Sequence, residues 1–190
     1  MASVGLRLDD SAIGTAVALR MKAPAVHAHT CVCGAAVEAS GHHGLSCVRS
    51  VGRQSRHVSA NDIIYRALHA AGVPALREPT GLLAQSNLRP NDVSTLPRCR
   101  GKLLLWDFTC LDTLAASHVH DTATQAAAAA VTAERFKAGK YAAFSPNNEV
   151  VPVAIETQGS WGPSVWDFVC DLGIWIARIS GHQSGGGGLH

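Results

Sequence analysis

Charge is scarce in this sequence. Asp, Glu, Lys and Arg make up 16% of its 190 residues, against roughly 25% in an average soluble domain. Formal net charge is +2, so overall charge does not single out a nucleic-acid partner. No apolar run approaches the ~20 residues that span a bilayer. Met1 to Asp10 lacks the apolar centre of a signal peptide. The expectation is an intracellular chain with no membrane partner. No internal repeat is visible, and no Tyr-x-Asp-Asp run. What is present is apolar: 47% of the residues are hydrophobic, which supports a sizeable core and excludes global disorder. The length suits one domain, or one domain with a small appendage. Six cysteines without a secretory start point to metal ligands or buried thiols rather than a disulfide framework.

The few charges are unevenly placed. Between Arg49 and Lys102 there are nine Lys/Arg and three acids (Asp62, Glu78 and Asp92), a net of +6; the rest of the chain holds seven bases and eleven acids. A basic segment of this kind is either a phosphate-facing surface or a solvated Arg-rich face.

Apolar periodicity and breakers divide the chain. Asp10 to Arg20 reads as a short capped helix, and His29 to Cys47 is too Gly-rich for one. Asn61 to Ala71 reads as an amphipathic helix stopped by Gly72 and Pro74, with Asn61 or Ser59 as its cap and His57 before it. Asp92 to Leu96 is a candidate strand, Pro97 to Gly101 a turn, and Leu103 to Phe108 (LLLWDF) a strand. Asp121 to Tyr141 predicts one long Ala-rich helix, Val150 to Ile155 (VVPVAI) a strand, and Gly162 to Ile179 a final helix. Strands mixed with long helices predict an α/β sandwich with a mixed sheet. Its hairpin strands are antiparallel, and a last strand returns in parallel by a crossover. The expected organisation is 1–50 for the first helix and the Cys/His element, 51–180 for the core, and 181–190 for a disordered Gly/Ser tail.

Within the Gly-rich stretch the spacing Cys31-x-Cys33-x9-His43-x3-Cys47 offers four thiolate or imidazole donors, which suits tetrahedral zinc. His42 is an alternative to His43. Gly34, Gly41 and Gly44 allow the backbone to turn tightly. A closed four-ligand site is structural rather than catalytic. The competing reading is a loop with free thiols and surface histidines.

Fourteen residues separate Asp92 from Asp107, which sits at the end of an apolar strand. Two acids facing each other on a hairpin can hold Mg²⁺, which can activate a water against a phosphodiester. Glu78 and Glu156 are candidates to join them. The alternative is a turn-capping Asp107 and an exposed Asp92. A nuclease also needs a cation near the phosphate, and Lys137 and Lys140, three apart on the long helix, are the candidates. Arg53, Arg56, His57 and Asn61 are candidates for nucleic-acid contact at a helix N-terminus.

The order of short strings resembles a known family. C-x-C-G…G-x-H-G-L-S-C covers Cys31 to Cys47, and G-R-x-x-R-H-x-x-x-N-D covers Gly52 to Asp62. E-P-T-G-L (Glu78 to Leu82), R-P-x-D-V (Arg89 to Val93) and W-D-F-T-C (Trp106 to Cys110) follow. K-x-x-K-Y (Lys137 to Tyr141) and P-V-A-I-E-T-x-G-x-W-G (Pro152 to Gly162) complete the set. Together, over about Leu6 to Ile179, they resemble the C-terminal region of non-LTR retrotransposon reverse transcriptase polyproteins. That region is similar to a restriction-like endonuclease of the PD-(D/E)XK class behind a CCHC zinc knuckle.

The resemblance implies a restriction-endonuclease-like sandwich and Mg²⁺-dependent nicking of target DNA. It matches Asp92 and Asp107 to the two signature acids and Glu78 to an assisting acid. It matches the stretch around His57 and Asn61, with Arg89, to DNA contact. DNA is then the expected partner, with RNA as an alternative, in a nuclear setting, and no small-molecule cofactor beyond zinc and magnesium is expected. Three departures stand out. Asn91 follows the proline where an acid is usual, Thr109 stands where a lysine is usual, and the GHQSGGGGLH tail is unlike a continuing domain. The alternative expectation is a decayed or truncated copy: a zinc-containing module that binds nucleic acid without cutting it.

Overall fold

The computed structural model describes residues 8–77, 92–94, 101–144, 146 and 148–181. Glu78, Arg89, the turn expected at 97–100 and the tail at 182–190 lie outside the described residues, and Asp92 is described by its backbone alone. The chain divides into two compact units between Ser55 and Arg56.

In the first unit, α1 spans Asp10–Met21; the Asp9 carboxylate accepts the Ala12 N–H at 2.7 Å and so caps it. β1 (His29–Thr30) and β2 (Ala36–Val37) form a small antiparallel ribbon. A single turn of helix, α2 (His43–Ser46), follows.

α3 (Val51–Ala70) begins ten residues earlier than the sequence predicts. Nothing between Val51 and Ala60 breaks a helix, and the apolar face that anchors it (Ala60, Ile64, Ala67, Leu68) lies in its second half. The polar first half carries no apolar periodicity to reveal it. His57 and Asn61 are therefore mid-helix and cap nothing, which corrects the placement expected for them.

The second unit holds a four-stranded sheet in the order β3 (Ala75–Arg77), β4 (Asp92–Ser94), β5 (Leu103–Leu111), β6 (Asn148–Glu156). β3–β4 and β4–β5 are antiparallel, and β5–β6 is parallel from Leu103↔Asn148 to Leu111↔Glu156. The mixed α/β architecture is thus the one the pattern of strands and helices predicts.

Between β5 and β6 the chain does not form one long helix. α4 (Val119–Thr122) and α5 (Ala128–Lys140) are separate, with Ala127 left-handed at φ 62°. Thr122 donates its hydroxyl hydrogen to the Thr113 carbonyl at 2.7 Å, which ties α4 to the strand end. The Ala129 and Ala130 N–H groups donate to Glu156 Oε1 at 3.0 and 3.2 Å, which makes this the start of a new helix. α6 (Pro163–Ile179) closes the unit, with proline in its first turn.

The sheet is covered on both faces, as parallel pairing requires. Leu104, Trp106, Phe108, Val151 and Val153 pack with Leu68 of α3 and Val165, Phe168 and Leu172 of α6. The alternate positions of β5 and β6, among them Asp107 and Glu156, face α5.

Glu134 of α5 is buried, and its Oε2 accepts the Ser164 N–H at 3.2 Å at the start of α6. Its carboxylate lies so close to Gly162 that a Cβ there would overlap it. Gly162→Ala should therefore lower stability by roughly 1–3 kcal/mol, read as a shift of the urea midpoint. An unchanged midpoint would show that the Glu134 carboxylate can step aside freely.

Candidate functional site

Two clusters of chemistry-bearing side chains stand out, one in each unit. In the first unit, β1 and β2 bring Cys31 and Cys33 toward the α2 turn. The Cys31 N–H donates to the Ala35 carbonyl at 2.9 Å and the Gly34 N–H to the Cys31 carbonyl at 2.8 Å, which curls the backbone under the sulfurs. Gly34, at φ 88°, takes a conformation that side chains disfavour. The donor atoms of Cys31, Cys33, His43 and Cys47 all lie within 4.8 Å of one another.

Cys31 Sγ is 3.7 Å from Cys47 Sγ, and Cys33 Sγ is 3.3 Å from His43 Nε2. A zinc tetrahedron built on Zn–S bonds of about 2.3 Å and Zn–N bonds of about 2.0 Å has edges of about 3.5–3.8 Å. The quartet could hold a zinc ion. His42 does not belong to it, because its Nε2 donates to the Leu19 carbonyl at 2.7 Å. Spacing alone leaves the two histidines open, and this contact decides for His43. The Ala35 N–H aimed at Cys33 pulls its thiol down to about 7, with Cys31, Cys47 and His43 helping. Cys47 moves the other way: desolvation and the neighbouring sulfurs outweigh the Arg49 N–H and raise it. Thiolate is the ligand form.

In the second unit, Asp107 sits in the middle of β5, 7% exposed. A buried carboxylate needs partners, and α5 with its last residues supplies them. Lys137 Nζ is 2.8 Å from Asp107 Oδ1, and it also donates to the main-chain carbonyls of Asp107 and Phe108 at 3.1 and 3.2 Å. Lys140 Nζ is 3.9 Å from Oδ2. The Tyr141 hydroxyl donates to Oδ2 at 2.9 Å and accepts from Lys140 at 3.0 Å. Burial pulls the Lys137 ammonium below the usual lysine value, while its contacts with Asp107 oppose that pull. Burial, then the Asp107 charge and hydrogen bond, push the Tyr141 phenol far above its ordinary value, so it stays a neutral donor. Tyr141 is the member of this group that sequence reasoning missed. The one available signal was an aromatic directly after the second lysine of K-x-x-K-Y.

Of the other expected ligands, Glu156 does not gather here, and Glu78 lies outside the described residues. Glu156 shares Asp107's face of the sheet, but it pairs with Leu111 in the parallel register, four positions along, which is about 13 Å. Its Oε1 is spent on the start of α5. Glu156 caps the start of α5 and does not join the Asp107 group. Asp92 pairs with Trp106. Its side chain lies outside the described residues, so the expected sharing of one cation by Asp92 and Asp107 belongs to the proposal below. Among the described residues, the Cys/His quartet is the one group of three or more His, Cys, Asp or Glu donors gathered as for a metal.

A carboxylate and two main-chain carbonyls at Asp107 already surround one positive charge, the Lys137 ammonium.

On the opposite face, the His57 ring stands edge-on to Phe108 with centroids 5.6 Å apart, and Asn61 Nδ2 donates to His57 Nδ1 at 3.4 Å. This pair does not join the Asp107 group. Asp62 forms ion pairs with Arg66 and Arg77; the Arg77 hydrogen bond, ahead of the two arginine charges, holds its carboxyl below the usual range. Among the described residues, no helix is long and apolar enough to cross a membrane. Comparison with known proteins gives no match to a family model and none to a curated protein.

Two outcomes follow. Purified chain should carry one equivalent of zinc by elemental analysis and lose it in Cys31→Ser; a wild-type chain that holds no metal after zinc addition would refute the site. Asp107→Ala should cost roughly 3–5 kcal/mol, because it leaves the buried Lys137 charge unpaired. Adding Lys137→Met should recover most of that loss in denaturant titrations, and equal damage by single and double variants would disprove the pairing.

Proposed function

We propose that the chain is a nucleic-acid-processing domain of the restriction-endonuclease-like, PD-(D/E)XK type. In this reading it is akin to the nuclease of non-LTR retrotransposon reverse transcriptase polyproteins, and it nicks DNA with a divalent cation. The observation that carries the reading is the buried Asp107 of a central strand, met by two lysines from the crossover helix. The element order also supports it: a helix, three antiparallel strands, a crossover helix and a parallel strand, as the resemblance leads one to expect.

Asp107, the Phe108 carbonyl and Asp92, as the second signature acid, would hold the cation. When bound, such a cation polarises a water for attack on phosphorus. Lys140 of α5 would offset charge on the phosphate, and a 3′-hydroxyl is left for priming. Arg53, Arg56, His57 and Asn61 of α3, with Arg89, are the residues this reading assigns to the DNA backbone. Zinc at Cys31, Cys33, His43 and Cys47 is structural, because four protein ligands leave no open position for substrate.

One observation favours a second reading, a zinc-containing module that binds nucleic acid without cutting it. The Lys137 ammonium already sits among the Asp107 carboxylate and the Asp107 and Phe108 carbonyls, a counter-charge where a nuclease would hold its metal.

A supercoiled-plasmid assay decides between them. The nuclease reading expects nicked circles with Mg²⁺ or Mn²⁺, none with chelator, and a rate at least about two orders of magnitude lower in Asp107→Asn. Salt-dependent binding with no nicking by either metal would overturn it in favour of the module.

A further inference from the structure

We propose that the two α5 lysines have different tasks. Lys137 is the fixed counter-charge of Asp107, Lys140 is the cation that meets a DNA phosphate, and Tyr141 is the positioning residue that aims Lys140. This deepens the nucleic-acid reading and rests on it, but it does not require cleavage.

Hydrogen-bond valence separates the two lysines. An ammonium group has three hydrogens to donate and nothing to accept with. Lys137 has three acceptors: Asp107 Oδ1 at 2.8 Å, the Asp107 carbonyl at 3.1 Å and the Phe108 carbonyl at 3.2 Å. Its side chain is 11% exposed. All its hydrogens are committed inside the protein, so a phosphate could reach it only by breaking one of these bonds and leaving a buried carbonyl or carboxylate oxygen unmet.

Lys140 differs on each point. Its side chain is 34% exposed, and its Nζ stands 3.9 Å from Asp107 Oδ2, beyond hydrogen-bond reach. Among the described residues one hydrogen bond engages it, at 3.0 Å to the Tyr141 hydroxyl. Two hydrogens remain for an anion outside. A phosphate oxygen is a stronger partner for them than water.

Tyr141 sets the direction. It is fully buried, and its hydroxyl has a single hydrogen, which goes to Asp107 Oδ2 at 2.9 Å. The hydroxyl can then only accept from Lys140, which fixes the sense of the bond between them. The Lys140 ammonium also lies 4.7 Å from the Tyr141 ring centroid, so ring and hydroxyl hold it from one side. A long, entropic side chain is thereby anchored near the carboxylate without being consumed by it.

The test is binding of a fluorescein-labelled DNA duplex in EDTA across a salt series, with inorganic phosphate as competitor in a second arm. Lys140→Gln should make the log–log salt slope less steep by about 0.9, the loss of one phosphate contact. Lys137→Gln, whose amide can still donate to the buried oxygens, should keep the slope. Tyr141→Phe should weaken binding about three- to tenfold with Lys140 present and add nothing in the Lys140→Gln background. A residue with a purely structural role would not give that non-additivity.

A slope lost with Lys137 and kept with Lys140→Gln overturns the assignment. Additive effects of Tyr141→Phe and Lys140→Gln overturn the positioning role. Competition by free phosphate as effective as by unlabelled duplex would show an anion site and not a DNA contact. Binding without nicking sinks the nuclease reading and leaves this inference standing, whereas a wild-type chain with no salt-dependent binding sinks both.

Discussion

The second unit is organised around one buried negative charge. Asp107 lies in the middle of a strand that is otherwise covered on both faces. A carboxylate in that position is expensive unless it is paired, and a strand of apolar residues would pack there at no such cost. Lys137, Lys140 and Tyr141 all converge on it from α5 and the residue after it. The charge therefore sets both the rotation and the lengthwise position of α5, because a slip of one residue would carry Lys137 away from its three acceptors. Replacing a buried ion pair by apolar side chains is often neutral or stabilising. Stability alone therefore does not account for a carboxylate, two lysines and a tyrosine in place of four apolar residues, and the inference to function starts there.

Two more carboxylates extend the same logic along the chain. Glu156, at the end of β6, accepts the first free N–H groups of α5, and Glu134, on α5, accepts an N–H at the start of α6. Negative groups at helix N-termini satisfy orphan donors and meet the positive end of the helix dipole. Each helix is thus docked by an acid on the element before it in space, and Gly162 leaves room for the second of these contacts. From the sequence, an acid at the end of an apolar strand has the same appearance whether it holds a metal or caps a helix. That is why Glu156 reads as a candidate ligand and turns out to be a cap.

What the sequence discloses depends on whether a property is periodic. β5, β6 and α6 are legible because apolar runs and a helical stripe announce them, and the parallel return through a helix follows from their order. The break between α4 and α5 is not legible. Alanine favours helix throughout, and the event that interrupts it is tertiary, the contact of Glu156 with Ala129 and Ala130. The first half of α3 is hidden for the opposite reason: a polar helix half without an apolar stripe looks like loop. In the metal quartet the ligand types and the turn glycines are legible, but adjacent histidines need a third dimension to separate them. The reach of Lys137 and Lys140 to the strand was legible as helical spacing, while the role of Tyr141 depends on a hydroxyl direction that no pattern encodes.

The two faces of the sheet then constrain how the proposed nucleic-acid partner could meet this unit. Asp107 and its lysines belong to the α5 face, whereas His57 and Asn61 lie on the α3 face, with the His57 ring against Phe108. Phe108 is the immediate neighbour of Asp107, so the two groups stand back to back across one strand rather than side by side. A single phosphate cannot touch both. A substrate engaged by both sets must be long enough to leave one face and reach the other, as a duplex backbone is and a mononucleotide is not. If the proposed DNA partner also meets α3, it does so at nucleotides distant from the one proposed at Lys140, so losses on α3 would weaken binding without altering the geometry around Asp107.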